Sequence, residues 1–433
     1  MKEDKKSKTL VGKAAIVAKA KAAILKVTNQ KPLQPAIATL PHVSSGSFPV
    51  DMLIGGNPLK DGKGLICPGF PRRRITELFG AESSGKTTLL ISAMIQAQKN
   101  GGIAMFIDFE HSLDHAYAKA LGLSYDDDKL LVYQPESMED GFKMLFVGIA
   151  AGFDIIGIDS VAAMVPKDEM QKGFDDAAKI GIVARLFAKD LPKFVLWLQK
   201  YPRLEGNKEA KDTDHPGTAV ILVNQTRALI NTGGYGGYGG GDDNTSGGKA
   251  LKFFAYLRLR MARVKSEFIE RKDPMTGKKR RFPYGNVTDV KVIKSKIDAK
   301  QGHSSQIFIR YGSGIDDYYS IIATGIVQKV IKREGNTYIL GEHKFTGRDK
   351  FRQFLVENPK VYDALRVKLM QVVNILAVNE EPDEGDELIE GFDLESDTLD
   401  SDIETEVGEV LVAASDASEE VSASSDETTT AEE

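Results

Sequence analysis

Cysteine is nearly missing from this chain: Cys67 is the single one in 433 residues. That excludes a disulfide framework and any zinc site built on several thiolates, and one thiol suits a reducing compartment. No run approaches the ~20 uncharged apolar residues that a membrane span requires. The opening MKEDKKSKTLVGK lacks the apolar core of a secretory signal. Basic residues stop at Lys368, whereas 22 of the 62 acids lie from Glu380 onward. The body before that point holds 57 basic against 40 acidic residues, a charge of about +17. A cationic body suits polyanions such as nucleic acid. The plain alternative is a scatter of solvated lysines. Hydrophobic residues make up 42%, enough for a real core, so wholesale disorder is excluded.

Residues 1–31 hold nine lysines and two acids with apolar residues interleaved at roughly helical spacing. A short helix without a domain needs a surface to pack on, its own body or a neighbouring subunit. Lys31–Ser47 reads as a linker. From about Arg72 short apolar runs end in polar residues: Ile75–Phe79, Ile103–Phe109, Ile155–Asp159 and Ala219–Asn224. A helix, Thr87–Gln98, lies between the first two and closes at Asn100-Gly101-Gly102. Such alternation predicts an α/β fold with a mostly parallel central sheet and flanking helices. Its ligand site belongs at the carboxyl ends of the strands. Phe253–Arg260 and Val287–Lys294 read as later strands around a basic, exposed hairpin, Lys265–Arg281. The expected divisions are an N-terminal basic helix and linker (1–40), the core (41–315), a small C-terminal α+β domain (316–378) and a disordered acidic tail (379–433).

Gly80-Ala81-Glu82-Ser83-Ser84-Gly85-Lys86-Thr87 fits the phosphate-loop pattern G-x-x-x-x-G-K-[ST], after an apolar strand and before a helix. Backbone N–H groups and the helix N-terminus can hold phosphates there. Lys86 supplies a positive charge between terminal phosphates, and Thr87 a hydroxyl for Mg²⁺. Asp159 closes the run Ile155–Asp159, where a carboxylate can hold the waters of that Mg²⁺. Glu110 ends another strand and could orient or deprotonate an attacking water. A helix N-terminal charge or an ion pair is its bland alternative. Gln225, also at a strand end, could sense a γ-phosphate.

In this order the segments resemble the RecA family of homologous-recombination ATPases. The resemblance rests on Ser44–Ser47 with Asp51 and Gly55-Gly56, Gly80–Thr88, Phe106–Asp114, Ile158–Ala163, Asn224–Arg227, Gly247–Phe253 and Lys294–Ile297. It covers about residues 40–375. It implies a RecA-like phosphate-loop ATPase core, an N-terminal oligomerisation helix, and ATP with Mg²⁺ as cofactors. Glu110 would activate water, Lys86 would contact phosphate, Gln225 would couple the γ-phosphate to the following loop, and Lys294 and Lys296 would reach ATP bound on the adjacent subunit. The nucleotide set is Gly80, Glu82, Ser83, Ser84, Gly85, Lys86, Thr87, Thr88 and Asp159. Asp114 and Tyr117 would complete it on the adenine side, with Tyr117 stacking on the base, and Tyr311 also belongs to the cofactor-binding set. Lys252 and Phe253 would share the subunit interface with Lys294 and Lys296.

The resemblance further implies two DNA loops, about Met170–Lys179 and Thr226–Gly248, with Arg185, Arg227, Tyr235, Tyr238, Gly247, Gly248 and Lys249 as contacts. The second is unusually rich in glycine and tyrosine. Ordering it on a polyanion would offset its entropy, and a tyrosine could stack on bases. The implied protein is a cytoplasmic DNA-dependent ATPase. It forms a helical homo-oligomeric filament on single-stranded DNA and exchanges strands with a homologous duplex, with single-strand-binding and loader proteins as partners and no membrane. The glycine-rich loop and a polar insertion, Tyr201–Gly217, fit a divergent, bacteriophage-type branch. The alternatives are a RecA-fold motor helicase and a non-catalytic nucleotide-gated scaffold. The acidic tail is read either as a competitor of DNA for the basic body or as a solubilising tail.

Overall fold

In a computed structural model of the chain the described residues are 20–21, 26, 40–55, 66–170, 181–200, 216–227, 244–272, 275, 277–297 and 301–379. The chain divides into two compact units, Met1–Thr39 and Leu40–Glu433. In the first, residues 20, 21 and 26 are helical. The rest of the expected packing helix lies outside the described residues, as do the acidic tail, 171–180 of the first DNA loop, 228–243 of the second and 201–215 of the insertion. Among the described residues no helix is long and apolar enough to cross a membrane.

The second unit begins with β1 (His42–Val43) and α1 (Phe48–Ile54). There follow β2 (Phe70–Pro71), β3 (Arg74–Gly80), α2 (Lys86–Lys99), β4 (Ala104–Asp108), α3 (His115–Ala120), β5 (Leu130–Tyr133), α4 (Met138–Ala151) and β6 (Ile155–Asp159). Then come α5 (Lys167–Met170), α6 (Ile182–Lys200), β7 (Ala219–Arg227), β8 (Asn244–Thr245), α7 (Gly248–Phe254), β9 (Leu257–Lys272), β10 (Lys279–Ser295), β11 (Ser304–Arg310) and β12 (Gly314–Ile315). The last part holds α8 (Asp317–Val327), β13 (Lys332–Glu334), β14 (Thr337–Leu340), β15 (His343–Thr346), α9 (Arg348–Glu357) and α10 (Pro359–Asn379).

The main sheet has the order β12-β11-β10-β9-β3-β7-β6-β4-β5, with β8 on β7. From β9 to β5 its strands are parallel; β10, β11 and β12 add antiparallel neighbours on one side. Alternation along the strands explains the layering. Ile155, Ile221, Val223 and Phe106 point into one apolar cluster with Leu89, Leu90 and Met94 of α2. Met105, Ile107, Ile156 and Leu222 point into a second with Phe142 of α4 and Phe187 and Phe194 of α6. Each face is therefore covered by helices, as the apolar runs predicted.

Two readings need correction. Phe253 and Phe254 do not open a strand; they end α7, and β9 starts at Leu257. Gly247 and Gly248 take left-handed φ angles of 88° and 67°, and a Cβ on Gly248 would meet the Ala184 Cβ at 2.8 Å. That close approach starts a helix whose Leu251 is fully buried. The presumed linker, for its part, ends inside the fold. Ser45 and Ser47 are fully buried, with the Ser45 N–H donating to Asp51 Oδ1 at 2.7 Å and the Ser44 hydroxyl to Oδ2 at 2.5 Å. A serine run read by composition alone hides this. The C-terminal elements also draw on α1, because Phe48 and Met52 join the cluster of Ile321, Tyr338, Phe351 and Leu365.

Asp51 gives a stability prediction. Burial pushes its carboxyl up to about 7, the bonds from Ser44 and Ser45 opposing and Asp317 adding to the rise. The unfolded chain ionises it near ~3.9, so this group makes stability fall as pH climbs from about 4 to 7. Asp51→Asn removes that loss. The variant is expected to be more stable than the parent at pH 8, by up to about 4 kcal/mol, with the gap closing near pH 4. Calorimetry across that range checks it; curves that stay parallel would mean Asp51 ionises normally in the fold.

Candidate nucleotide site and nucleic-acid face

The site assembles where parallel strands end. Register sets Gly80 of β3 beside Gln225 of β7, and Asp108 of β4 beside Asp159 of β6. Gly80–Thr87 bridges β3 to α2. The loop glycines are required by what lies behind them: a Cβ on Gly80 would meet the Met261 carbonyl oxygen at 2.0 Å, and one on Gly85, at φ 90°, the Ile309 Cδ1 at 2.2 Å. Close seating on β9 and β11 thus fixes the loop's shape. No side chain caps α2 and its first turn carries no acid. Its leading N–H groups are left for an anion, which the helix dipole also favours.

Lys86 is buried and folds back on the loop, donating to the Ala81 carbonyl at 2.7 Å and the Gly80 carbonyl at 3.1 Å. Burial pulls its ammonium below the usual lysine range, while Asp159, Glu110 and Glu82 pull the other way. The Thr87 hydroxyl donates to Asp159 Oδ2 at 2.6 Å. Burial pushes the Asp159 carboxyl up to about 6; the Thr87 bond and Lys86 oppose the rise, and Glu110 and Asp108 add to it. Crowded carboxylates beside a hydroxyl fit a hard divalent cation. Among the described residues no group of three or more His, Cys, Asp or Glu could hold a metal alone. A Mg²⁺ ion here would therefore draw its other ligands from phosphate and water.

Glu110 lies two residues beyond β4. Its Oε1 accepts from the Ser160 hydroxyl and, at 2.9 Å, from Gln225 Nε2. Sequence reasoning missed Ser160; its signal was the hydroxyl directly after the aspartate that ends β6. It also missed the buried network behind Gln225. Asn224 Nδ2 donates to Glu77 Oε1 at 2.9 Å and to the Ser246 carbonyl at 2.8 Å, and its Oδ1 accepts from the Gln225 N–H at 2.9 Å. Glu77 Oε2 accepts from Arg258 Nε at 2.6 Å, and that guanidinium lies 4.6 Å over the Phe79 ring.

Glu82 and Ser83 are exposed and Ser84 is buried on the loop. Asp114 caps α3, accepting from the Tyr117 N–H at 2.9 Å. Tyr117 is half-buried and Tyr311 is 46% exposed, so neither ring is committed to the core. Their elements abut, since a Cβ on Gly314 would meet the Leu121 side chain at 2.8 Å. A cavity of about 380 Å³ brings Thr88 together with Leu121 and Ser313–Ile315, without Tyr117 or Tyr311.

Lys294 and Lys296 do not reach the phosphate loop of their own chain. Lys294 pairs with Arg258, which pairs with Glu77, three residues before Gly80. Its Nζ donates to the carbonyls of Lys252 and Phe253 at 2.7 and 2.8 Å, at the end of α7. Phe253 is 70% exposed.

The ends of both expected DNA loops border one cavity of about 370 Å³, lined by Pro166 and Glu169, by Gly181–Ala184 and by Thr245–Gly248. Arg185 and Lys249 are exposed beside it on α6 and α7. Arg227 ends β7 in register with Asn244. Tyr235 and Tyr238 lie outside the described residues.

A mostly parallel sheet with this loop between β3 and α2 defines an α/β nucleotide-binding protein of the phosphate-loop class. The comparisons narrow the class. The family described as RecA N-terminal domain matches residues 17–316. The chain is 36% identical over 335 residues to Protein RecA of Salinispora tropica, covering 77% of this chain and 83% of that one. It is 35% identical over 333 residues to Protein RecA of Borrelia hermsii, covering 76% and 82%. Against Protein RecA of Corynebacterium glutamicum the identity is 34% over 407 residues, covering 92% and 95%. The chain belongs to the RecA family.

Proposed function

We propose that the chain is a DNA-dependent ATPase that polymerises on single-stranded DNA and pairs it with a homologous duplex. The observation that carries this reading is the Gln225–Glu110 hydrogen bond. Gln225 stands two residues before the end of β7, where the glycine-rich loop departs, so what binds that loop can act on Glu110. In the Michaelis complex Glu110, steadied through Oε1, takes the proton of the attacking water on Oε2. The α2 N-terminus and Lys86 bind and orient the phosphates. Mg²⁺, held by Thr87 and through water by Asp159, would neutralise charge on the phosphates. Lys294 and Lys296, remote from their own loop, serve the nucleotide of the next protomer, so turnover requires a seam between subunits.

Turnover is expected to rise on adding single-stranded DNA, and electron microscopy with a non-hydrolysable analogue should reveal open helical filaments. An ATPase indifferent to DNA, or closed rings with directional unwinding, would count for the helicase instead. The Asn224 network gives a further prediction. Asn224→Ala leaves Glu77 Oε1 without its donor and unties Gln225 from the Ser246 carbonyl. It should cost about 1–3 kcal/mol of stability and lower DNA stimulation more than basal turnover. Unfolding curves and paired assays with and without DNA check both parts.

A further inference from the structure

The arm that β9 and β10 build beyond the sheet has no part in that reading. β10 leaves its partner β11 at Gly285, whereas its pairing with β9 continues to Lys279 opposite Lys272. From Phe268 to Lys272 and from Lys279 to Pro283 the ribbon therefore has two strands only. Phe268, Ile269, Glu270, Lys272 and 279–283 are all exposed. At the arm's root Phe268, Ile269, Phe282 and Pro283 border a cavity of about 550 Å³ with Asp349, Arg352 and Gln353; beyond it a two-stranded ribbon gains little from packing. Lys265–Arg281 carries seven basic and three acidic residues. Register also sets cation against cation, Lys272 opposite Lys279 and Arg271 opposite Arg280. Like charges directly opposite destabilise an antiparallel pair. Two such pairs in succession concentrate positive potential where the ribbon is thinnest. The local acids offset it only in part: Glu267 pairs with Lys265 at 2.8 Å and Glu270 with Lys279 at the longer distance of 4.0 Å, and the basic residues of 265–281 still outnumber the acids seven to three. Neighbouring strand residues face opposite sides. Lys279 and Arg281 thus share one face with Lys272, and Arg280 shares the other with Ile269 and Phe282.

We propose that this arm is a contact for duplex DNA, additional to the two loops, and that it grips phosphates on both strands of the incoming duplex. The two-sided placement argues for a duplex. A two-stranded ribbon fits the major groove, and cations on its opposite faces then reach the phosphate walls on either side. A binder of single strands would gather its aromatic platforms and cations along one groove, and an acidic protein surface would need one charged face only. Phosphate contacts carry no sequence information, so the arm favours no sequence. The inference rests on the DNA-dependent ATPase reading.

The test uses full-length protein in two forms. One combines Lys272→Gln, Lys279→Gln, Arg280→Gln and Arg281→Gln. The other keeps charge with Lys272→Arg, Lys279→Arg, Arg280→Lys and Arg281→Lys. Filaments assembled on single-stranded DNA are titrated with a short fluorescent duplex across a salt series. The neutral form should lose about tenfold or more in duplex affinity, with the slope of log affinity against log salt shallower by about 3. Its turnover stimulated by single-stranded DNA should match the parent, and the charge-keeping form should behave as the parent throughout. Unchanged duplex capture, equal loss of single-strand affinity, or a charge-keeping form that fails as badly overturns the proposal. Normal duplex capture with lost binding to an acidic protein would reassign the arm to that partner. If the parent itself shows no stimulation by DNA, it is the broader reading that fails.

Discussion

Glu110→Gln is expected to lower ATP turnover by about 10²–10⁴-fold while nucleotide binding stays close to that of the parent. The substitution is nearly isosteric, and the amide oxygen can still accept from Ser160 and Gln225, the two donors that hold Oε1. What it removes is the second carboxylate oxygen, the one that takes the water's proton in the proposed reading. Because the phosphate loop, Lys86 and the Thr87–Asp159 bond are untouched, the protein should still bind ATP and assemble, then persist as filaments that no longer turn over. Single-turnover hydrolysis beside nucleotide binding checks both halves. A fall of less than tenfold would assign water activation to another group.

The second large effect is expected from Lys294→Gln with Lys296→Gln. Burial, then Lys296 and Arg258, hold the Lys294 ammonium below the usual lysine range, with Glu77 opposing. Two neighbouring cations are kept at the α7 end although they repel. An anion brought by a neighbouring protomer would relieve them. By analogy with cationic fingers supplied in trans, turnover should fall about 10³-fold or more, and cooperative assembly with it. Binding of ATP to isolated protomers should survive, since these lysines lie away from their own loop. Mixing gives the discriminating result. Protomers carrying Lys86→Ala keep the lysines, and the Lys294/Lys296 variant keeps the loop. In a head-to-tail polymer about one seam in four of an equal mixture then pairs two intact halves. Recovered turnover in the mixture supports the shared site; two inactive variants that stay inactive together refute it.

The sheet and the site loop were legible because each rests on a local rule. Apolar runs that stop at Gly80, Asp159 and Gln225 mark strand ends, and strand ends gather in a parallel sheet. Hence residues from Lys86 to Gln225, far apart in sequence, could be expected in one place. The buried network was not legible. Glu77 lies inside the apolar run of β3, and its partners Asn224 and Arg258 are 147 and 181 residues away. Nothing in the run announces them. α7 was misread because Phe253, Phe254 and Tyr256 look like strand residues, whereas the left-handed glycines before them and the burial of Leu251 decide for a helix.

Cys67 has a practical consequence. It is fully buried, its Sγ lies 3.4 Å from the Gly69 carbonyl oxygen, and burial pushes its thiol up to about 12. Electrophilic dyes react with thiolates, so the folded chain offers them almost no background. A cysteine introduced at Met275, 94% exposed near the arm's tip, would take a single fluorophore, and the arrival of DNA at the arm could be followed in real time.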